Sequence, residues 1–373
     1  MVHTYLESNN IISSLGLNST DNLAGMLNGK SGITVCSDRG LSGKDFPVSL
    51  IDWQQVEGRS GDLVNPEAYT RFEKIALLSI QDALSRSHID PADAGTALIL
   101  STTKGNVELL GEPGRFGRDR LLLWRSADLI ARYFGITNRP LVISNACISG
   151  VVAMIMAHRM IRSGRFDQVV VVGADVVSRF IVSGFQSFLS LSDQPCRPFD
   201  ELRDGLTLGE AAATVIISRR HGEVELTGGA ITNDANHISG PSRTGEGLLL
   251  AIRQTLGGRR DVDLISAHGT ATVYNDEMES IAISRAGLEP VPVNSLKGYL
   301  GHTLGAAGIV ESIVNLEAMK QDLLVPTMGY SRPGVSGNIN VVEQTGQKQV
   351  DTMLKLASGF GGCNAAALFE KRV

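Results

Sequence analysis

"SNACISGVVAMIMAHRM", residues 144–160, places one cysteine between an apolar strand and an apolar stretch of helical character. Seven consecutive apolar residues, Val151 to Ala157, make the opening turns of that helix buried on all sides. The N–H groups at its start therefore have no water and need a partner. Cys147 sits at that end. A thiol there faces the positive end of the helix dipole, so it is expected to lose its proton more easily than a free cysteine. Ser149 and Gly150 keep the turn small enough for a substrate carbonyl to approach the sulfur. Taken alone, a cysteine before a helix is as often a packing residue as a nucleophile, because free Cys is among the most buried residue types.

Working outward, strands and helices alternate. "TALILSTTKG" (96–105) is a strand ending in small polar residues, "WRSADLIARYFGI" (124–136) a helix, and "PLVISNAC" (140–147) the next strand. The helix expected from Ile148 to about Ser163 stops at Gly164, and "FDQVVVVGAD" (166–175) supplies another strand. The later half repeats this order. "DVDLISAHGTAT" (261–272) is a strand ending in a turn, and "VPVNSLKGYLGHTLGAAGIVESIVNLEAMKQD" (291–322) is strand, turn and helix. "DTMLKLASGFGG" (351–362) is then the closing strand and its turn. Such alternation is the pattern of a layered α/β protein, which places its sites where strands end. The repeat predicts an internal duplication, with halves at 1–220 and 221–373 joined near Arg219 to Glu223.

Composition narrows the function classes. The 373 residues carry 39 acidic and 34 basic side chains, a net charge of -5, which argues against nucleic acid as a main partner. Arg115, Arg118, Arg120 and Arg125 gather locally and read as a solvated surface. Cys36, Cys147, Cys196 and Cys363 lie far apart without a CxxC pair, so reduced thiols are expected rather than a disulfide framework or a zinc site. No apolar run approaches a bilayer span, and "MVHTYLESNN" has no basic flank followed by an apolar core. The expectation is a cytoplasmic protein without a membrane, a metal or a nucleotide cofactor, since neither a P-loop nor a cluster with ligand spacing occurs.

The later half supplies partners for the cysteine. "AHGTAT" puts His268 at a strand end, followed by the hydroxyls of Thr270 and Thr272. "NSLKGYLGHTLGAAG" puts Lys297 and His302 in the turn that corresponds, by the repeat, to the turn of Cys147. Halves packed face to face would bring these side chains together, giving a nucleophile and two donors for an oxyanion. His158 lies eleven residues along the helix from Cys147, about three turns away, and cannot share the site. His3, His88 and His221 read as surface positions, His237 and Cys363 as packing or structural residues, and Cys196 has no evident partner. Asp204 and Glu210 are expected to brace a loop near the site.

"NACISG", "AHGTATVYNDEMES", "NSLKGYLGHTLGAAG" and "GFGGCNA" together resemble the β-ketoacyl-acyl-carrier-protein synthases of the thiolase superfamily. "RPFDELRDGLTLGEAA" (197–212) and "GLNSTDNLAGMLNGKSGI" (16–33) resemble further segments of that family in matching order, so the resemblance spans essentially the whole chain. It implies a thiolase-like fold of two duplicated halves packed as a five-layer αβαβα sandwich. It also implies an acyltransferase that forms C–C bonds by decarboxylative Claisen condensation, in fatty acid or related polyene or polyketide synthesis. Carried over residue by residue, Cys147 would take the acyl chain, while His268 and His302 would stabilise the enolate formed as malonyl carrier protein loses CO2. Backbone N–H groups of Cys147 and Phe360 would form the oxyanion hole. Lys297 would hold the electrostatics of the site, with Glu311 as its partner, and Thr270, Thr272 and Phe360 would meet the phosphopantetheine arm of the acyl carrier protein. The resemblance implies no cofactor bound by the enzyme itself. It implies a homodimer, or a heterodimer with a related ketosynthase subunit, formed through the strand "QVVVVGAD".

Some positions depart from the family pattern. Val273 and Gly298 stand where relatives often have Pro and Ser, and the segment from Lys104 to Asn138 is shorter than in members that elongate fatty acids. Two other readings compete: a chain-length-setting partner subunit, whose relatives usually lack the nucleophile, and a thiolase-type acyltransferase, which would use a Cys base where this chain has His302.

Overall fold

The main sheet is built by period-two alternation of residues that are apolar on both faces. In the strand Gln168–Asp175, Val169 and Val171 enter one core while Val170 and Val172 enter another. Both faces are thus covered, as in sheets buried between helices. The computed structural model describes residues 2–111, 114–220 and 222–372.

Eleven strands form one continuous sheet. In chain order they are β1 Tyr5–Ser13, β2 Thr96–Ser101, β3 Leu141–Ile143, β4 Gln168–Asp175, β5 Ala211–Ser218, β6 Val224–Asn233, β7 Leu264–Ser266, β8 Pro292–Asn294, β9 Asn340–Val341, β10 Thr352–Gly359 and β11 Cys363–Lys371. Their hydrogen-bonded order is β9-β8-β7-β10-β11-β6-β1-β5-β4-β2-β3. Setting aside the edge strand β9, the two halves wind identically. In each, the first strand pairs antiparallel with the fifth and the fifth antiparallel with the fourth; the fourth then runs parallel to the second, and the second parallel to the third. Within the sheet, the described residues of the two halves pair at Tyr5↔Glu225 and Leu6↔Val224.

Among the helices of the described residues, six form the main layers: α1 Arg71–Ser85, α2 Leu123–Tyr133, α3 Ser149–Arg162, α4 Glu246–Leu256, α5 Val273–Arg285 and α6 Ala307–Lys320. α1 and α2 cover the outer face of the first half, and α4 and α5 that of the second. α3 and α6 lie between the two sheet halves in the largest core. The result is the five-layer αβαβα stack of a thiolase-like fold.

Gly150 and Gly308 let α3 and α6 approach closely. A Cβ on Gly308 would lie 2.8 Å from the backbone nitrogen of Val151, and one on Gly150 would lie 3.0 Å from the backbone nitrogen of Ile309. The first contact is closer than real side chains come to backbone and the second is tighter than most, so the crossing favours glycine at both positions and requires it at Gly308.

Two expectations are corrected. "QVVVVGAD" is β4, hydrogen-bonded to β5 on one side and β2 on the other, so it has no edge to offer a second chain; the free edge of that half belongs to β3. Arg120 is not a solvated surface residue: its guanidinium pairs with the fully buried Glu73 carboxylate, which also caps α1 through the Thr70 N–H. His3 and His88 are indeed on the surface, whereas His221 lies outside the described residues. Among the described residues, no helix is long and apolar enough to cross a membrane.

Candidate active site

The turn between β3 and α3 carries Cys147. Ala146 adopts φ 44°, a left-handed conformation that costs a non-glycine residue energy and marks a tight strand-to-helix elbow. The Ser149 hydroxyl holds the elbow closed, accepting from the Asn145 N–H at 2.8 Å and donating to the Ala146 carbonyl at 2.6 Å. No side chain caps α3. The expected ease of deprotonation is not found at Cys147. Burial pushes its thiol up to about 12, helped by the neighbouring Cys363; the Lys297 charge and the Phe360 N–H pull the other way but do not overcome it. Desolvation of a thiolate is the largest influence here, because the residue is buried at the base of its cavity.

His268 follows β7. Its loop bends through Gly269 at φ 43° and Ala271 at φ 64°, and two carboxylates on α5 hold that shape. Glu279 accepts from the backbone N–H groups of His268 (2.6 Å) and Gly269 (2.8 Å). Asp276 accepts from Thr270 (2.9 Å) and from Phe199 of the first half (2.7 Å). Burial pushes Glu279 up to about 7.

His302 follows β8 and the short helix Lys297–Leu300. A segment of the first half clamps its backbone: its N–H donates to the Thr207 carbonyl at 2.7 Å, and its carbonyl accepts from Gly209 at 3.1 Å. The ring is buried, yet neither of its nitrogens has a hydrogen-bond partner among the described residues. A buried imidazole left unsatisfied by its own protein is a group aimed at a ligand.

These turns converge. The Cys147 sulfur and a ring nitrogen of each of His268 and His302 all lie within 4.8 Å of one another. The two rings meet edge to face with centroids 5.2 Å apart. They line a cavity of about 370 Å³ together with Thr270, Thr272 and Phe360. The two threonine hydroxyls are 2.9 Å apart, and the Phe360 ring packs between Phe185 and Phe188 at 5.6 and 5.3 Å. Asp204 and His237 also reach this cavity, His237 on its exposed rim. Glu210 instead accepts from Ile51, Trp53 and Val177, bracing the loops behind it. His158 lies elsewhere, bonded to the Thr4 hydroxyl at 2.6 Å.

Lys297 lies beneath His268. Its Nζ is 2.5 Å from the His268 carbonyl, 3.3 Å from His268 Nδ1 and 2.5 Å from Glu311 Oε1. Contact with an ammonium makes Nδ1 an acceptor, so in the neutral ring Nε2 carries the proton. Both histidines are held well below the usual imidazole range, first by burial and then by the Lys297 and Lys355 charges. They are therefore neutral hydrogen-bond donors. A cysteine and two histidines this close could by donor type hold a soft divalent cation. The proton on His268 Nε2 and the ammonium groups behind both rings suit an anion better.

Three acidic groups and one lysine escaped the sequence reading. Asp175 accepts from Thr102, Thr103 and, at 2.7 Å, Gly305, tying the two halves together behind Cys147; burial pushes it up to about 6. Asp276 and Glu279 are the loop supports described above. Lys355, in the middle of β10, bonds Glu311 Oε2 at 2.6 Å. It was legible as a lone charge inside the apolar run "TMLKLA", since a charge in a buried strand must have a partner.

The chain is similar to known proteins along most of its length. Residues 62–222 match the family described as "Beta-ketoacyl synthase, N-terminal domain", and residues 224–331 match "Beta-ketoacyl synthase, C-terminal domain". The tetracenomycin polyketide synthase ketoacyl synthase alpha subunit of Streptomyces glaucescens is 34% identical over 350 residues, covering 81% of this chain and 82% of its own. 3-Oxoacyl-[acyl-carrier-protein] synthase 2 of Rhizobium meliloti is 28% identical, covering 88% and 86%. Among solved structures, the ishigamide ketosynthase/chain length factor superposes with a TM-score of 0.89 at 25% identity, covering 100% of this chain and 99% of the matched one. Two family domains matched in sequence order, and a relative one-third identical over most of both chains, make this chain a member of the β-ketoacyl synthase family.

Proposed function

We propose that this protein is a 3-oxoacyl-acyl-carrier-protein synthase, with residues 1–220 contributing the nucleophile and residues 221–373 the two histidines. The observation that carries this reading is the meeting of the Cys147 sulfur with two neutral imidazoles in one cavity, one of them unpartnered.

In this mechanism the Cys147 sulfur attacks the thioester of an acyl chain on the phosphopantetheine arm of a carrier protein. An acyl–S bond forms, the carrier thiol leaves, and it takes the proton that Cys147 gives up. Malonyl carrier protein then enters. Its C–CO2 bond breaks, CO2 departs, and the electron pair becomes an enolate whose oxygen accepts from His268 Nε2–H and His302. The enolate carbon attacks the acyl carbonyl. Backbone N–H groups of Cys147 and Phe360 hold the tetrahedral oxyanion, and its collapse breaks the C–S bond, releasing the 3-oxoacyl carrier thioester and a Cys147 thiolate that takes up a proton from solvent. Donors fixed in place before charge develops are typically the largest single contribution to such catalysis. Lys297 and Glu311 orient His268, and Thr270 and Thr272 bind the arm. No bound cofactor has a step in this scheme. The setting is the cytoplasm, and the partners are an acyl carrier protein and a second ketosynthase-like subunit, identical or related; the ishigamide ketosynthase/chain length factor supports the paired form.

The test weighs the intact protein after incubation with a panel of acyl-carrier thioesters and follows CO2 release from malonyl carrier protein. An adduct on Cys147 and decarboxylation are expected. Cys147→Ala should abolish the adduct but retain decarboxylation, and His302→Ala should cut decarboxylation by about 10²–10³-fold. A wild-type protein that neither acylates nor decarboxylates would overturn the reading. Failure to decarboxylate with Cys147 intact would favour the partner-subunit role instead.

A further inference from the structure

β10 holds one charged residue in an apolar run, Lys355, which is fully buried. It lies opposite Ser266 of β7, the strand that leads into His268. Its Nζ donates to Glu311 Oε2 at 2.6 Å, to the Ala267 carbonyl at 3.1 Å and to the Ser266 carbonyl at 3.3 Å. Glu311 gives its other oxygen to Lys297 at 2.5 Å. One carboxylate on α6 is therefore shared between two buried ammonium groups, one oxygen each. A buried ion pair needs only one cation for balance, and each further buried charge costs free energy unless the site uses it.

We propose that Lys355 is a positioning residue for the condensation chemistry: by sharing Glu311 it locks the Lys297 ammonium beneath His268 and leaves the network one positive charge in surplus beside the two imidazoles, where an enolate's negative charge would develop. This deepens, and rests on, the synthase reading above. The charged groups facing Lys355 are Glu311 from α6, Lys297 from the short helix after β8, and Glu279 from α5. Glu279 accepts two backbone N–H groups of the His268 loop and titrates near 7, so the surplus is fullest on the acid side of neutrality. Lys297 and Lys355 are the cations that face both imidazoles, and both disfavour imidazolium. The surplus thus favours an enolate anion while keeping its two donors uncharged.

The experiment compares the full-length wild type with Lys355→Met, which leaves a balanced Lys297–Glu311 pair, and Lys355→Gln, which retains a donor for the Ala267 carbonyl. Thermal midpoints identify which variants are folded. Malonyl-carrier-protein decarboxylation is measured from about pH 4 to 9, and His268 and His302 are titrated over the same range by NMR on histidine-labelled protein. Loss of a nearby positive charge makes imidazolium easier to form, so both histidine titrations should move up by about one pH unit from their low starting values, and loss of the surplus charge should lower kcat about tenfold near neutral pH. Lys355→Arg should recover part of the rate. A folded variant with unchanged titrations and profile, beside an active wild type, overturns the role of Lys355 alone. A wild type inactive in both acylation and decarboxylation sinks the synthase reading instead.

Discussion

Gly308 of α6 lies against Gly150 of α3, so close that a methyl group on Gly308 would sit 3.4 Å from the Gly150 carbonyl carbon and 2.8 Å from the Val151 nitrogen. This contact sets the distance between the helix that follows Cys147 and the helix that carries Glu311. Gly308→Ala should push the helices apart, lowering stability by about 1–3 kcal/mol. The same change should slow acylation of Cys147 more than the stability loss explains. Thermal midpoints and adduct formation followed by mass spectrometry check both parts.

Removing the shared carboxylate should be costly. Glu311→Gln leaves the Lys297 and Lys355 ammonium groups buried beside each other without an anion, a loss of about 3–5 kcal/mol for breaking such a pair. Burial already makes Lys355 release its proton more readily than an ordinary lysine, so the deficit should shrink toward alkaline pH, where that charge disappears. Urea midpoints at pH 7 and pH 9.5 give the comparison. An equal deficit at both values would count against two trapped charges.

With burial holding Cys147 up to about 12, the resting nucleophile is a thiol at neutral pH. Its alkylation by iodoacetamide should rise about tenfold per pH unit between 7 and 9, without a plateau. A plateau below pH 8 would mean that substrate-free Cys147 is already a thiolate.

His158 is held down to about 4, by burial first and the Arg162 charge second. The unfolded chain takes up this proton near 6.5, so the folded state loses ground as pH falls below that value. Relative to His158→Gln, the wild type should lose roughly 1–2 kcal/mol between pH 7 and pH 5. Denaturant titrations of both proteins at the two values measure the difference. A constant gap would show that the ring is protonated inside the fold or accessible to water.

Much of the site could be read in the chain because turns at strand ends are written locally. The order of elements and the turns bearing Cys147, His268 and His302 sit in short stretches with their own apolar flanks, whereas the Lys297–Glu311 pairing came from the family resemblance. Lys355 was visible as a lone charge in an apolar run, but its role was not. Its meaning depends on Glu311, 44 positions away on another element, and no local pattern records that distance. Glu279 and Asp276 looked like ordinary acids on a helix, although their carboxylates hold the His268 loop.

The order of strands and helices, their repetition, and the residue types at the reactive turns were fixed by the chain itself, because periodicity and turn chemistry act over a few residues. Which strand kept a free edge, how tightly α3 and α6 approach, and the protonation of Cys147 were decided only by the packed fold. Sheet order, interhelical distance and desolvation arise when distant segments exclude water together, and no single segment encodes them.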